Sequence, residues 1–356
     1  MHSVETTKPS GHFNRKTLLF ALLFIVITAA GLLYVKWWPY YGKAITSATT
    51  HSIGSSILTD AGDTIPAPSW SAAWEYAAAY FKAVWKAAVL GILLGSLVQV
   101  LLPSKWLLDM LGKANFKSTA IGGLASLPGM MCSCCAAPLA VGLRKKKASI
   151  GASLAFWIGN PTINPATLIF MTFVLSWEFT LLRLVFGLLL TFGVSYLANR
   201  FAPNELVPQQ VQAALPEDNE PEQPMYVRWG KAMWSMFISV IPAYVLVVLM
   251  LGAFRAWLFP AMDGAGSNSL LAIIGFAIAG MLFVIPTAAE IPIIQSFMDM
   301  GMGVGPAAAL LMTLPAISLP SLLMLAKHFP GKVLAFTASS VVAIGILAGL
   351  VGWMLL

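Results

Sequence analysis

The amino-acid sequence predicts an all-α polytopic membrane protein with two inverted repeats, each made of spanning helices and a re-entrant or broken helical hairpin. Composition indicates the membrane. Hydrophobic residues make up 58% of the 356 residues and charged residues only 10%, whereas a soluble domain carries about 25% charged residues. Mean hydropathy is +0.81. Two proline-centred patterns that recur in the same order in each half indicate the repeat.

Residues 1–83 are predicted to hold an uncleaved spanning helix followed by an amphipathic segment outside the cytoplasm. The apolar run over 17–35 is long enough to cross a bilayer, and the aromatic "YVKWWPYYG" follows it in place of a cleavage site. Four aromatic residues then recur at roughly helical spacing, which favours a helix lying on the membrane surface. They are Trp70, Trp74, Phe81 and Trp85.

The remaining apolar segments fall into two halves. The first transmembrane repeat occupies 84–198 and the second 230–356, and the stretch 199–229 between them, rich in Pro, Gln and Glu, is predicted to be a flexible cytoplasmic linker. Seven segments are long enough to cross the membrane. They are 17–35, 84–102, 149–175, 178–198, 231–255, 303–326 and 331–355.

Two further apolar segments, 118–143 and 270–300, are interrupted, and the charge pattern predicts that each enters the membrane and returns. The first lies between the basic loop 103–117 and the "RKKK" cluster at 144–147. Lys and Arg collect on the cytoplasmic side, so a single crossing would put these two loops on opposite faces. A re-entrant hairpin keeps both inside. The loops around the second segment are poor in charge, which predicts a hairpin from the other face.

The breaks match between the halves. "PGMMC" in the first hairpin matches "PTAAE" in the second, so Cys132 corresponds to Glu290. One span, one hairpin and two spans make an odd number of crossings, which inverts the second half relative to the first, as in transporters with discontinuous helices at the midplane. The predicted helix breaks are Pro128, Gly129, Pro161, Pro165, Pro286, Pro292, Pro315 and Pro320.

All the cysteines of the chain lie in "PGMMCSCCAAP". Cys132 and Cys135 are three residues apart and share a helix face, with Cys134 offset, at the start of the second hairpin arm. A helix N-terminus favours the thiolate, and thiolates prefer soft partners such as trivalent arsenicals or soft metal ions. Two alternatives remain open: the C-x-x-C spacing suits a redox pair, and buried cysteine is often only a small apolar residue.

Glu290 is the one acidic residue deep inside a predicted membrane segment. Such carboxylates usually mark ion or proton pathways, so Glu290 is a candidate for proton coupling, or a cap for the half-helix that follows. Arg183 and Arg255 lie near the predicted outer ends of their spans, where snorkelling explains them.

Asn160, Thr162 and Asn164 lie in "GNPTINPATL". Pro161 and Pro165 leave nearby carbonyl groups without helical donors. These carbonyls and the two amides are candidates for lining a substrate path. In the alternative reading, the Asn side chains satisfy the freed carbonyls of a simple kink.

Three of these stretches, "CSCCAAPLAVGLRKKKAS", "GNPTINPATLIF" and "EIPIIQSF", resemble the YraQ/ArsP-type predicted permeases over about residues 80–356. Members of that family are implicated in efflux of trivalent organoarsenicals such as methylarsenite, and a related branch in copper and zinc efflux. The resemblance implies a permease, and it carries Cys132, Cys134 and Cys135 over as substrate or soft-metal ligands.

The function predicted from the sequence is a secondary permease, not an enzyme, that exports a small thiophilic solute and is coupled to protons at Glu290. The alternatives are a transmembrane thiol–disulfide oxidoreductase and a permease for another small anion with structural thiols. No cofactor or nucleic-acid partner is expected, because the net charge of +7 is attributed to cytoplasmic loops. The predicted location is a bacterial inner membrane, multi-pass, with a cytoplasmic N-terminus.

Overall fold

The computed structural model describes residues 15–59, 65–202, 223–260 and 268–356, and these ranges are helical with no strand. The helices are α1 (Leu18–Thr50), α2 (Trp70–Leu101), α3 (Ser104–Leu111), α4 (Phe116–Ser126), α5 (Ser133–Lys145), α6 (Ile150–Thr162), α7 (Pro165–Val174), α8 (Trp177–Phe201), α9 (Met225–Ala253), α10 (Arg255–Leu258), α11 (Leu270–Leu282), α12 (Glu290–Asp299), α13 (Val304–Ala316), α14 (Leu319–Leu325) and α15 (Gly331–Leu355). Most of the predicted linker, 203–222, lies outside the described residues.

The predicted all-α, multi-pass membrane protein is confirmed. Among the described residues, six helical segments are long and apolar enough to cross a bilayer: α1, α2, α8, α9, α13 with α14, and α15. The seventh predicted crossing, 149–175, is the pair α6 and α7, which is interrupted at Ile163 and Asn164. Large apolar side chains on the outside of these helices, such as Leu19 on α1, are exposed on the protein surface and suit contact with lipid.

No boundary separates the predicted surface helix from the following span, because α2 runs unbroken through residue 84 from Trp70 to Leu101. The Ser69 side chain caps its first turn by accepting a hydrogen bond from the Ala72 N–H. Trp70 is exposed, as predicted for an amphipathic helix, but Tyr80, on another face of α2, is fully buried and its hydroxyl contacts the Tyr244 hydroxyl on α9. The first half of α2 therefore belongs to the helical core.

Both interrupted segments form hairpins of short helices. The arms α4 and α5 have 11 and 13 residues, and α11 and α12 have 13 and 10. At about 1.5 Å per residue each arm covers roughly half to two thirds of a bilayer core of about 30 Å. The outer ends of each hairpin lie together, since the Ser149 N–H donates to Leu111 O (2.7 Å) and the Gly305 N–H to Asn268 Oδ1 (3.0 Å). The two ends of each hairpin therefore lie on the same side of the fold, and re-entry from one face of the membrane stays a prediction.

Three basic loops meet at one end of the molecule, which we call the basic end. Lys146 Nζ donates to Ser104 Oγ (3.3 Å), and the Arg144 guanidinium lies over the Phe329 ring at 5.5 Å. Burial and the charge of Lys145 lower the pKa of His328 in the loop before α15. The loops that the charge pattern assigned to a common side are therefore neighbours, and the side of the membrane that they face stays a prediction.

The two halves share a pattern of packing. The arm α4 packs on α6, and α11 packs on α13. The α6–α7 break is capped by Asn164 and the α13–α14 break by Ser318, at matching positions of the repeat. The inverted orientation of the halves in the membrane stays a prediction.

Candidate functional site

The turns of the two hairpins meet near the centre of the fold. In both turns the third residue of the repeated pattern has a left-handed backbone, with φ of 48° at Met130 and 69° at Ala288. The fifth residue then starts the second arm, since Cys132 is the N-cap of α5 and Glu290 is the first residue of α12. Both residues line one small cavity of about 10 Å³, which is room for about one water molecule.

This cavity is bordered by polar groups from both halves. Thr287 and Thr167 also line it. Two buried oxygens on its lining residues, Glu290 Oε2 and Thr167 Oγ1, have no hydrogen-bond partner among the described residues. Unsatisfied buried oxygens are uncommon in folded proteins. The space between the hairpin turns therefore offers hydrogen-bond acceptors and a hydroxyl group to a small polar solute.

The cysteines divide into a pair and a separate third thiol. All three are buried and reduced. Cys132 Sγ lies 3.0 Å from Cys135 Sγ, because residues three apart share a helix face. Cys134 Sγ points elsewhere and lies 3.2 Å from Ser318 Oγ at the α13–α14 break.

This division limits the metal chemistry of the cluster. Within the described ranges no group of three His, Cys, Asp or Glu side chains is placed to hold a metal ion. A three-thiol ligand set, as the sequence predicts, requires Cys134 to leave Ser318. The arrangement present suits a partner that takes two thiols.

Glu290 is half of a buried ion pair. Arg183 Nη1 on α8 donates to Glu290 Oε1 at 2.7 Å, and both side chains are almost fully buried. The predicted snorkelling of Arg183 and Arg255 is wrong: they are 1% and 3% exposed, and the Arg255 guanidinium lies over the buried Tyr76 ring at 5.8 Å. Arg183 joins the first half of the chain to the second.

The same guanidinium satisfies the carbonyl groups that the α6–α7 break leaves without helical donors. Pro165 has no N–H to donate to Pro161 O, and the Ala166 N–H donates to Asn164 Oδ1 instead of to Thr162 O. Arg183 Nη2 donates to Pro161 O (2.6 Å) and Nε to Thr162 O (3.3 Å). The freed carbonyls therefore bind Arg183, which neither reading of the sequence anticipated.

The three polar residues of "GNPTINPATL" have local structural contacts. Asn160 Oδ1 accepts from the Met131 N–H at 3.4 Å, and a Cβ at Gly129 would lie 2.2 Å from that oxygen, so glycine is needed in the turn. Thr162 Oγ1 donates to Ile158 O (2.7 Å). Asn164 caps α7, although its Nδ2 has no partner. None of the three lines the cavity between the hairpin turns.

The predicted prolines mark the helix breaks in both halves. Most stand at helix ends or in turns, where a missing N–H costs little. Pro128 and Pro286 lie in the hairpin turns, Pro165, Pro292 and Pro320 in the first turns of α7, α12 and α14, and Pro161 and Pro315 in the last turns of α6 and α13.

Lys36 is a buried residue beside this site to which the sequence analysis assigned no role. It lies in a π-helical turn of α1, Leu33–Trp37, and is 4% exposed. Its Nζ donates to Tyr40 Oη (3.1 Å) and to Thr287 Oγ1 (3.0 Å). A basic residue inside an apolar helix was the available signal for both Lys36 and Arg183.

Comparison with known proteins gives a consistent result. The profile of a family described as predicted permease matches residues 70–353. The chain is 55% identical to UPF0718 protein YraQ of Escherichia coli K12 over 92% of this chain and 93% of the relative. It is 25% identical to UPF0718 protein MJ0584 of Methanocaldococcus jannaschii over 62% of this chain and 79% of that protein. No solved structure matches.

Proposed function

Since the chain belongs to this predicted permease family, the YraQ/ArsP type that its motifs resemble, we propose that it is a secondary permease that exports a small thiophilic solute through the site between the two hairpin turns. The family is one of transporters and not of enzymes, which argues against the thiol oxidoreductase. The observation that supports the proposed site most strongly is the buried Cys132–Cys135 pair, 3.0 Å apart, on a helix start that borders the same cavity as Glu290.

A dithiol of this geometry suits a monosubstituted trivalent arsenical. With methylarsenite, CH₃As(OH)₂, two As–S bonds form as two As–O bonds break, and two water molecules leave with the thiol protons. Arsenic stays trivalent and the sulfurs are not oxidised. A soft metal ion held by two thiolates is the alternative cargo. Since the cavity holds about one water molecule, the solute binds when the hairpin turns are further apart.

Glu290 is proposed to couple export to proton entry. Its Oε1 is held by Arg183, and its Oε2 has no partner. A proton on this carboxylate replaces the ion pair with a neutral acid, which weakens the link between α8 and α12. The basic end and the N-terminus are proposed to face the cytoplasm of a bacterial inner membrane.

Uptake into everted vesicles tests the proposal, with methylarsenite, arsenite, Cu(I) and Zn(II) as solutes. Cys132→Ser and Cys135→Ser should abolish uptake of the true substrate, and Cys134→Ser should lower it less. Glu290→Gln should remove the dependence of uptake on the proton gradient. Wild-type transport by every Cys variant refutes the ligand assignment, and retained pH dependence in Glu290→Gln refutes coupling at this residue.

A further inference from the structure

Lys36 places a positive charge against the thiol site. Its ammonium group is buried and bonded to the Thr287 hydroxyl. Thr287 lines the cavity between the hairpin turns together with Cys132. The N-terminal helix, which lies outside the residues matched by the family profile, therefore contributes to this site.

The hydrogen bonds of Lys36 within the described part of the chain go to neutral groups. An ammonium group has three donors, and the two in use go to neutral hydroxyls, those of Tyr40 and Thr287. No carboxylate among the described residues forms an ion pair with Lys36, and the nearby Glu290 is already paired with Arg183. Buried charges are normally paired, because an isolated one is strongly disfavoured by the loss of its hydration.

The π-helical turn brings this charge to the site. A single π-turn inserted in an α-helix changes the face on which the following side chains lie, and such turns are frequent at functional sites. In α1 the turn covers Leu33–Trp37 and directs Lys36 towards Thr287. By contrast Lys43, later on the same helix, is exposed.

We propose that Lys36 is a substrate-binding residue and that the permease selects thiophilic solutes that also carry a negative charge. This inference rests on the function proposed above. The Cys132–Cys135 pair holds the thiophilic atom, and the Lys36 ammonium with the Thr287 hydroxyl receives the anionic group. A neutral thiophile of the same size leaves the ammonium unpaired and binds more weakly.

Two matched probes test the charge preference on the purified full-length protein. Both are trivalent arylarsenicals with the same dithiol-reactive arsenic group, one with a para-carboxylate and the other with a para-carboxamide. A charge-assisted hydrogen bond corresponds to a preference of roughly 10- to 100-fold, so we expect the carboxylate to bind that much more tightly to the wild type. Lys36→Met and Lys36→Gln should bind both probes equally. Lys36→Arg should restore the preference.

Lys43→Met is the matched control, because it removes a lysine from the same helix away from Thr287, and it should keep the full preference. The ratio of the two affinities separates substrate contact from a purely structural role, which would weaken both probes together. Equal binding of the probes by the wild type, or an unchanged preference in Lys36→Met and Lys36→Gln, overturns the inference. Unchanged binding of both probes by Cys132→Ser and Cys135→Ser instead overturns the proposed thiol site itself.

Discussion

Removing either member of the buried Arg183–Glu290 pair should cause a large loss of stability that is not additive. Arg183→Met leaves Glu290 buried without its partner, which costs about 3–5 kcal/mol. It also leaves Pro161 O and Thr162 O without the donor that they use, at about 1–3 kcal/mol for each buried group. We therefore expect about 5 kcal/mol or more in the free energy of unfolding. Glu290→Gln keeps the shape of the side chain and should cost about 3 kcal/mol.

Equilibrium unfolding in mixed detergent micelles measures these values in a double-mutant cycle. The loss of unfolding free energy in the double variant should be smaller than the sum of the two single losses by about 2–3 kcal/mol. The reason is that removing both partners leaves no unpaired charge. Arg200→Met is the matched control, since it removes an exposed arginine from the same helix, and it should change stability by about 0.5 kcal/mol at most. Additive losses, or a loss below about 1 kcal/mol in Arg183→Met, refute the reasoning.

Three further predictions concern the surroundings of the thiols. A mild oxidant should link Cys132 to Cys135 in the folded protein, with loss of two free thiols in thiol titration, because their sulfurs are already 3.0 Å apart. Gly91→Ala should destabilise the protein by about 1–3 kcal/mol, as its Cβ would lie 2.3 Å from Cys135 O, whereas Gly42→Ala, with open space around it, should have little effect on the melting temperature. Asn164→Ala should cost about 1 kcal/mol through loss of the α7 cap, and Asn164→Ser, which keeps a capping oxygen without burying a charge, should retain more of the stability measured by the same unfolding assay.

Local signals in the sequence predicted the positions of the breaks well. Proline and glycine act on their immediate neighbours, so the "PGMMC" and "PTAAE" patterns located both hairpin turns to within a few residues. The correspondence of Cys132 with Glu290 also brought two residues of different halves to one cavity. The positions of the breaks could be predicted because each break depends on a few adjacent residues, and a single sequence shows all of them.

Partners distant in sequence could not be predicted in the same way. Snorkelling was a reasonable explanation for Arg183 while its depth was unknown, but its partner lies 107 residues away and its two carbonyl partners exist only because of the α6–α7 break. Nothing in the sequence assigned a role to Lys36, since its partner Thr287 lies 251 residues away. The spacing of Trp70 and the aromatic residues after it described one face of α2. The helix continues past the predicted boundary at residue 84 because no helix-breaking residue follows there.

The three contacts of Arg183 make the link between the halves unequal on its two sides. Pro161 O and Thr162 O belong to the same half as the arginine and stay beside it when the second half moves. Without Glu290 the guanidinium still donates two hydrogen bonds, to Pro161 O and Thr162 O. Glu290 Oε2, by contrast, has no hydrogen-bond partner among the described residues. Under the proposed mechanism, opening this junction exposes the acid and leaves the base still hydrogen-bonded, so Glu290 is the group that needs a new partner in each transport cycle.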